Sequence, residues 1–156
     1  MPNHDSSARP DDAGPQRWLW VAGPDYYLDE HDNERRDLEP DVGFVPDGWW
    51  TCAPATRAGD LVLLYRSQLK KDVSHLLVTR SDAAPLDMPS SEFHGKPVCQ
   101  YEVITKFRRP IPFATITADS SLGQWNEVRR RFVRSGVPIP DQLSHSAMAA
   151  TRTVAR

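Results

Sequence analysis

The side chains best suited to chemistry in this chain are aromatic and cationic, and they recur close together. Two adjacent tryptophans, Trp49 and Trp50, precede a Gly-Asp turn and an aliphatic run that ends at Tyr65. Aromatic planes stack on unpaired nucleobases, each stack contributing roughly 1 to 3 kcal/mol, while neighbouring cations meet the phosphates. A single base taken out of its stack needs a pocket, which aromatic side chains from different strands can form. The whole set comprises Trp18, Trp20, Trp49, Trp50, Tyr65, Arg66, Lys70, Lys71, Arg108 and Arg109.

The tryptophan pair admits two interpretations. Neighbouring side chains of a strand point to opposite faces, so one indole can enter the core while the other faces a cavity or solvent. Packing alone also explains two tryptophans, because most buried aromatic side chains do no more than fill a core. Both interpretations stay open for Trp49 and Trp50, and the sequence does not say which indole would stack on a base.

Other chemistries lack a sequence signature. The chain has no glycine-rich phosphate loop, and neither its cysteines nor its histidines have metal-ligand spacing. Cys52 and Cys99 are more simply explained as two reduced structural thiols than as a disulfide. We therefore predict no metal ion, no cofactor and no catalytic residue. The scattered histidines considered as ligands, and set aside, are His31, His75, His94 and His145.

Length and composition indicate a single domain. The chain has 156 residues, enough to bury a core without disulfides. We predict a disordered leader at 1–16, a domain at 17–146 and a loose tail at 147–156. No apolar run approaches the roughly 20 residues of a membrane span, and the N-terminus lacks a secretory pattern. The expectation is a cytoplasmic monomer without a membrane partner.

Charge is distributed unevenly along the chain. Residues 1–48 carry 12 acidic and 4 basic side chains, whereas residues 49–156 carry 9 acidic and 15 basic ones. The basic second part favours polyanionic partners, since cations attract phosphates and release their counterions. Much of the acidic excess lies in residues 29–41, which we predict to be a solvated loop. As a hypothesis, that loop shields the basic face and competes with phosphates for it.

Three short apolar runs predict strands near the aromatic residues. WLWVAG at 18–23 is closed by Gly-Pro and reads as a buried strand that ends in a turn. LVLLY at 61–65 follows the Gly-Asp turn and is a continuous aliphatic run, typical of a central strand. VSHLLVTR at 73–80 comes after a short polar link, so we expect it to run antiparallel to its predecessor.

The second half of the chain predicts one more strand and a helix. CQYEVITKF at 99–107 alternates in polarity, which favours a half-exposed strand, and RRPIP at 108–112 should break regular structure. An apolar stripe formed by Leu122, Trp125, Val128 and Phe132 predicts an amphipathic helix over 122–135. The fold class that fits is α+β: a curled, mostly antiparallel barrel of about five to six strands, flanked by short helices.

Several segments of the chain resemble the EVE domain, a family of the PUA-like superfamily that is similar in fold to YTH and ASCH domains. Gly-Asp-aliphatic-Tyr-x-Ser at 59–67 is shared widely among PUA-like domains. Lys-Phe-x-x-Pro-Ile at 106–111, together with Val-Pro-Ile-Pro at 137–140, is more specific. The resemblance extends from about residue 18 to 143. The segments that carry it are GWWTCAPATRAGDLVLLYRS, VSHLLVTRSDA, YEVITKFRRPIPF and WNEVRRRFVRSGVPIP.

The resemblance implies a PUA-like barrel without a catalytic centre that binds nucleic acid, DNA or RNA. Such a domain would hold a modified or flipped nucleobase, with a modified cytosine as the expectation, in an aromatic-lined cleft. Residues expected at the base are Ala22, Gly23, Pro24, Trp49, Trp50, Tyr65 and Ser67. Residues expected at the phosphates are Arg66, Lys70, Lys71, Arg108 and Arg109.

Two alternatives come from other functional classes. Some ASCH relatives are similar to amidohydrolases, which suggests a small hydrolase of modified nucleosides with Thr51, Lys70 and Glu102 as the reactive set. The other alternative is a protein-interaction module that uses the apolar stripe of the predicted helix. Core packing explains that stripe more simply, because an amphipathic helix ordinarily faces its own sheet.

Overall fold

The computed structural model describes residues 14–129, 135–141, 143–145 and 147, and places them in two β-sheets joined by short helices. The strands are β1 (Arg17–Ala22), β2 (Trp50–Thr51), β3 (Leu61–Arg66), β4 (Asp72–Thr79), β5 (Ala84–Pro85), β6 (Pro97–Cys99), β7 (Tyr101–Pro112) and β8 (Val137–Pro138). The α-helices are α1 (Pro24–Tyr27), α2 (Phe113–Ala118) and α3 (Asn126–Arg129). Single 3-10 turns lie at Arg36–Leu38, Pro40–Val42 and Leu122–Gln124.

The larger sheet has the strand order β7-β4-β3-β1-β8, and the smaller one has the order β2-β6-β5. β3 is the central strand of the larger sheet, as its aliphatic run predicts, and β4 pairs antiparallel to it. β1 and β3 are parallel, because the long connection between them crosses over instead of turning back. The α+β class is confirmed. The curled barrel needs correction: the described strands form two sheets, eight strands in all, without a closed barrel.

The larger sheet has a hydrophobic core on each face. Trp18, Trp20 and Leu64 belong to one cluster of buried residues, called here the first core. Leu19 and Tyr65, which alternate with them along the strands, belong to another, the second core. Burial on both faces explains why the two strand sequences are almost continuously apolar.

The Gly-Asp turn ahead of β3 holds the first strand in place. Gly59 has a φ of 91°, a left-handed conformation that glycine adopts without strain. The carboxylate of Asp60 is buried and accepts hydrogen bonds from the Trp18 indole at 2.9 Å and from the Gln16 amide at 3.0 Å. These bonds tie the start of β1 to the start of β3, so this motif supports the fold.

The prediction that residues 108–112 break regular structure was wrong. β7 continues to Pro112, and Asp72 of β4 pairs with that residue. β7 is an edge strand of its sheet, so Pro110 and Pro112 need not donate to a further strand. The pairing of β7 with β4 is also irregular near these prolines, because its register shifts between Val73 and His75.

The predicted helix over 122–135 is interrupted. A 3-10 turn at Leu122–Gln124 ends at Trp125, whose ψ of 130° is extended, and α3 begins only after it. Leu122 and Val128 are buried in the second core, so the stripe faces the sheet where the structure describes it. Phe132 lies outside the described residues. No sequence pattern predicted helix α2, which buries Ile116 in the same core.

In the part of the chain that the structure describes, no helix is both long and apolar enough to cross a membrane.

Candidate functional site

A cavity of about 370 Å³ opens where several short elements meet beside the first core. The end of β1, helix α1, strand β2 and the first residue of β7 contribute to its wall, together with three connecting segments. Its volume lies within the range of roughly 300 to 1,000 Å³ that is typical of ligand pockets. The lining residues are Val21, Tyr26, Arg35, Asp37, Asp47, Gly48, Trp49, Trp50, Thr51, Phe93 and Tyr101.

Trp50 is the indole that links the cavity to the core. Its ring is stacked on that of Trp20, with 6.2 Å between centroids and 10° between planes. Tyr101 meets the same indole edge-on at 6.3 Å, and Tyr26 does so at 6.0 Å. Trp20 is 1% exposed. Trp50 is thus a cavity wall that buried neighbours hold in one orientation.

Trp49 forms a second aromatic wall. Its ring meets Phe93 at 5.9 Å and 68°, and Phe93 in turn meets Tyr26 at 6.5 Å. Tyr26 lies on α1, directly before the fully buried Tyr27. Rings from four separate segments therefore follow one another around the cavity.

Two charged residues of the segment after α1 complete the lining. An Nη of Arg35 donates to Oδ2 of Asp37 at 2.7 Å, and its other Nη donates to the carbonyl of Tyr26 at 3.2 Å. Oδ1 of Asp37 is buried and has no hydrogen-bond partner among the described residues. Burial raises the pKa of Tyr101 to about 12, and the nearby Asp37 carboxylate acts in the same direction. A hydrogen bond between the Tyr101 hydroxyl and Asp37 adds to the rise, so this hydroxyl stays protonated beside the carboxylate.

The segment that bears Arg35 and Asp37 is held by ion pairs. Glu34 accepts hydrogen bonds from Lys106 of β7 and, at 3.2 Å, from Arg66 of β3. Glu39 accepts another from Lys106 at 3.1 Å. The prediction of a solvated loop over 29–41 was therefore wrong for Glu34 and Glu39, because both carboxylates pair with cations of the sheet.

A buried histidine of β4 lies at the same ion pairs. His75 is fully buried, and its Nδ1 is 2.6 Å from the hydroxyl of Ser74. Its Nε2 is 3.4 Å from Oε1 of Glu34 but makes no hydrogen bond. Burial lowers the pKa of His75 to about 4; Glu34 opposes this shift, while the positive charges of Arg66 and Lys106 add to it. His75 is therefore neutral at pH 7.

The structure brings together only part of the residues predicted at the base. Trp49 and Trp50 line the cavity, whereas Tyr65 is buried in the second core, edge-on to Phe113. The grouping of Tyr65 with the tryptophans needs correction, because alternation along β3 sends its side chain to the other core. Tyr65 belongs to the Gly-Asp-aliphatic-Tyr-x-Ser motif that the resemblance points to, but its side chain packs in the second core.

Ala22, Gly23, Pro24 and Ser67 form a separate junction. The amide and the hydroxyl of Ser67 both donate to the carbonyl of Ala22, at 2.9 and 3.2 Å. Gly23 caps α1 and Pro24 is its first residue. None of the four lines the cavity, but the junction fixes α1, and α1 carries Tyr26 to the cavity wall.

The residues predicted at phosphates fall into two groups. Arg66 is only 7% exposed, and its Nε and one Nη donate to the two carboxylate oxygens of Asp72 at 2.8 Å each. With Glu34 as a further partner, Arg66 is committed inside the protein, and its assignment to a phosphate needs correction. The other four are exposed but do not line the cavity: Lys70, Lys71, Arg108 and Arg109.

The residues of the alternative hydrolase hypothesis lie apart. Thr51 lines the cavity, whereas Glu102 is paired with Arg80. Glu102 pairs with the end of β4 and Lys70 precedes its start, so about 20 Å of strand separates them at ~3.3 Å per residue. These three residues therefore do not assemble into one reactive centre.

Within the described ranges, no group of three or more His, Cys, Asp or Glu residues is placed to hold a metal ion. Cys52 and Cys99 are free and buried in the first core. The pairing of β2 with β6 brings the two cysteines near each other. Cys99 pairs with Trp50, and the Cys52 amide donates to the carbonyl of Pro97.

Of the residues predicted at the base, only Trp49 and Trp50 belong to the cavity wall, and most of the wall was not predicted. Tyr26 and Phe93 were hidden in stretches without periodicity, and Arg35 and Asp37 in a segment assigned to solvent. Two signals existed for part of this set. Tyr26 adjoins a second tyrosine directly after the Gly-Pro turn, and Tyr101 lies on the apolar face of a correctly predicted strand.

Comparisons with known proteins bear on the fold. A solved protein from Pseudomonas syringae matches with a TM-score of 0.66 and 16% identity, over 85% of this chain and 97% of that chain. The DUF55 domain of human thymocyte nuclear protein 1 matches with a TM-score of 0.57 and 14% identity, over 85% and 96%. Human THYN1 in complex with DNA containing 5-methylcytosine also matches, at 18% identity over 66% and 74%, but its TM-score of 0.45 is too low to support an argument about this chain.

No protein-family model and no curated protein matches the chain. The resemblance found in the sequence is nevertheless confirmed at the level of the fold, since the DUF55 domain is a domain of the EVE type. This chain has the fold of an EVE-type domain.

Proposed function

We propose that this chain binds nucleic acid and holds one modified nucleobase, a modified cytosine, in the aromatic cavity. The observation that carries the proposal is the cavity itself, about 370 Å³ in volume and lined by Tyr26, Trp49, Trp50, Phe93 and Tyr101. Aromatic rings on several sides of the cavity can contact both the faces and the edge of a base that is no longer stacked on its neighbours.

The aromatic wall is formed before any ligand arrives. Trp50 is stacked on the buried Trp20, and Trp49 meets Phe93. Side chains that are already ordered lose little entropy on binding, so more of the stacking free energy appears as affinity. This arrangement supports a binding site that selects a ring by its shape.

Phosphates would stay outside the cavity. Its lining includes one cation, Arg35, and two carboxylates, Asp37 and Asp47, which together do not attract an anion. Lys96 is exposed at the rim, with its Nζ 5.5 Å from the centroid of Phe93. Lys96 therefore joins the exposed cations proposed to meet the flanking phosphates, which are Lys70, Lys71, Arg108 and Arg109.

The test is a binding panel read by fluorescence polarisation. Labelled DNA and RNA strands, single and paired, carry one cytosine, 5-methylcytosine or 5-hydroxymethylcytosine at the centre. We expect a modified base to bind more tightly than cytosine in at least one of these formats. Trp49→Ala should weaken that binding by roughly 5- to 100-fold, in line with the loss of one base stack.

The matched control is Phe44→Ala, which removes an exposed ring that does not line the cavity. This control should bind as the wild type does. Equal binding of modified and unmodified strands in every format would contradict the proposal.

A second candidate function follows from the carboxylates in the lining. Aromatic rings around a cavity that also contains Asp37 and Asp47 suit a methylated ammonium group, which binds to the faces of such rings. The chain would then be a protein-interaction module for methylated lysine. A trimethyl-lysine peptide that displaces no oligonucleotide and does not change the tryptophan fluorescence would exclude this candidate.

A further inference from the structure

We infer that Asp37 determines which bases the cavity accepts, by receiving a hydrogen bond from an exocyclic amino group. The inference rests on the proposed function and adds a chemical class to it. The class comprises bases with an amino group beside a ring nitrogen that accepts a hydrogen bond, as in cytosine and adenine.

One oxygen of the Asp37 carboxylate has unused capacity to accept hydrogen bonds. Oδ2 is occupied by Arg35, whereas Oδ1 is buried and has no hydrogen-bond partner among the described residues. A buried carboxylate oxygen without a partner is costly, so a ligand that donates to it restores what folding left unpaired. The side chain remains 28% exposed, and because the terminal torsion of aspartate is soft, either oxygen can turn to a ligand.

Hydrogen-bond donors surround the Asp37 carboxylate. Arg35 donates to Asp37 and to one backbone carbonyl, and guanidinium has five N–H groups in all, so donors remain for a ligand. The Tyr101 hydroxyl keeps its proton and interacts with Asp37, so Arg35 is the donor that remains for a ligand. The wall therefore offers an acceptor, Asp37, next to a donor, Arg35, which is the complement of an amino group next to a ring nitrogen.

The same wall should discriminate against thymine and uracil. Thymine and uracil have a carbonyl where cytosine has its amino group, and a carbonyl oxygen facing a carboxylate gains no hydrogen bond. A site built to bond a donor discriminates strongly against an analogue that lacks it, because its buried group is left unpaired. The backbone supports this precision, since the Arg35 amide donates to the carbonyl of Tyr27 at 2.9 Å and Leu38 is buried in the first core.

The test compares two bases of nearly equal shape. 5-Methylcytosine and thymine have the same ring and the same methyl group, and they differ at the amino group and the adjoining nitrogen. Single-stranded oligonucleotides with one of these bases, or with an abasic site, in an otherwise identical sequence are titrated against the full chain. We expect 5-methylcytosine to bind about tenfold or more tightly than thymine.

The variant Asp37→Asn should remove or reverse this preference. Its amide oxygen can keep the contact with Arg35 and turn the NH₂ group to the ligand, which then meets a carbonyl and opposes an amino group. Asp41→Asn is the matched control, because it neutralises an exposed carboxylate of the same segment that does not line the cavity and should leave the preference unchanged. Circular dichroism of both variants reports whether they fold.

The outcomes separate the two proposals. If 5-methylcytosine and thymine bind equally, and both more tightly than the abasic strand, the inference is overturned while base binding stands. If neither base binds better than the abasic strand, both proposals fall. Should Asp37→Asn not fold, the wild-type comparison of the two bases still decides. An unchanged preference in a folded Asp37→Asn variant also overturns the inference.

Discussion

At the scale of single residues, Trp49 and Trp50 differ in what holds them. Trp50 is stacked on a core indole and meets two tyrosines, whereas Trp49 meets Phe93, which belongs to a loop segment. Trp50 thus combines the two interpretations that the sequence left open, since it packs against the core and lines the cavity. No sequence pattern distinguishes the two indoles, because the difference in their packing depends on Trp20, which is distant in sequence and stacks on Trp50 rather than on Trp49.

His75 gives a prediction about acid stability. Its pKa is lowered to about 4 in the folded chain, from 6.5 for the unperturbed group, so the unfolded chain binds more protons between these values. Stability contributed by the neutral side chain is complete above pH 6.5 and is lost as the pH falls to about 4. The free energy of unfolding should decrease by roughly 3 kcal/mol from this group over that range.

Urea unfolding of the wild type and of His75→Gln, measured at intervals between pH 7 and pH 4, checks this expectation. The variant should lose less stability with acid than the wild type does, because glutamine does not titrate. Glu34, Glu39, Arg66 and Lys106 face this group and are present in both proteins, so the comparison isolates the change at position 75. Parallel curves for the two proteins would refute the assignment.

At the scale of elements, the segment after α1 is placed by charges at its ends. Glu34 pairs with Arg66 and Lys106, and Glu39 pairs with Lys106, so the 3-10 turn between them carries Asp37 to the cavity. The Glu34 side chain is 14% exposed. Truncating one partner of a buried ion pair leaves the other charges uncompensated, which is more costly than losing a surface pair.

Glu34→Gln should therefore loosen this segment. We expect the amides of Arg35 and Leu38, bonded to Tyr27 and Arg35, to exchange hydrogen faster than in the wild type, and the global stability to fall by about 2 to 3 kcal/mol. Hydrogen exchange followed by mass spectrometry measures the first effect and urea unfolding the second. Glu30→Gln is the control, because that side chain is 86% exposed and surface pairs contribute little. Equal exchange in both variants would mean that the ion pairs do not position the segment.

The elements of the larger sheet were predictable for a physical reason. Strands β1, β3 and β4 are apolar runs buried on one or both faces, and burial leaves a periodic mark in the sequence. The end of β7 and the helix α2 were missed, because Pro110 and Pro112 suggested a break whereas an edge strand tolerates both. The parallel pairing of β1 with β3 depends on a long crossover that carries no local signal.

The site was predictable only where its residues have a local signature. The tryptophan pair has one, and so does Tyr101 through its strand. Arg35 and Asp37 do not, because an ion pair over two positions in a charged segment looks like solvent-exposed sequence until its neighbours in space are known. Conversely, Tyr65 and Arg66 belong to a recognisable motif, yet both are committed to the interior of the protein.

At the scale of the whole molecule, the uneven charge has a specific consequence at the cavity. Carboxylates of the segment 29–41 pair with the buried Arg66 and the partly exposed Lys106, which offsets the charge that these cations would present to a phosphate. Lys96 is an exposed cation over Phe93 of the aromatic wall. A strand whose base enters the cavity would pass its phosphates near this side chain.

Lys96→Ala should weaken oligonucleotide binding and make it less dependent on salt. Loss of one phosphate contact lowers the slope of log K against log salt by about 0.7 for a single strand. Titrations of the same modified strand at several salt concentrations measure this slope. An unchanged slope, with Lys70→Ala showing the loss instead, would place the strand on the other side of the molecule.

The central claim is that a base ring enters the cavity between Trp49 and Trp50. Nitrogen–proton correlation spectra resolve the indole signals of the five tryptophans of this chain, and substitution to phenylalanine assigns them. Adding a strand with one modified cytosine should shift the signals of Trp49 and Trp50, while that of Trp18, bonded to buried Asp60, stays in place. Shifts confined to other tryptophans, or none at saturating strand, would contradict the account.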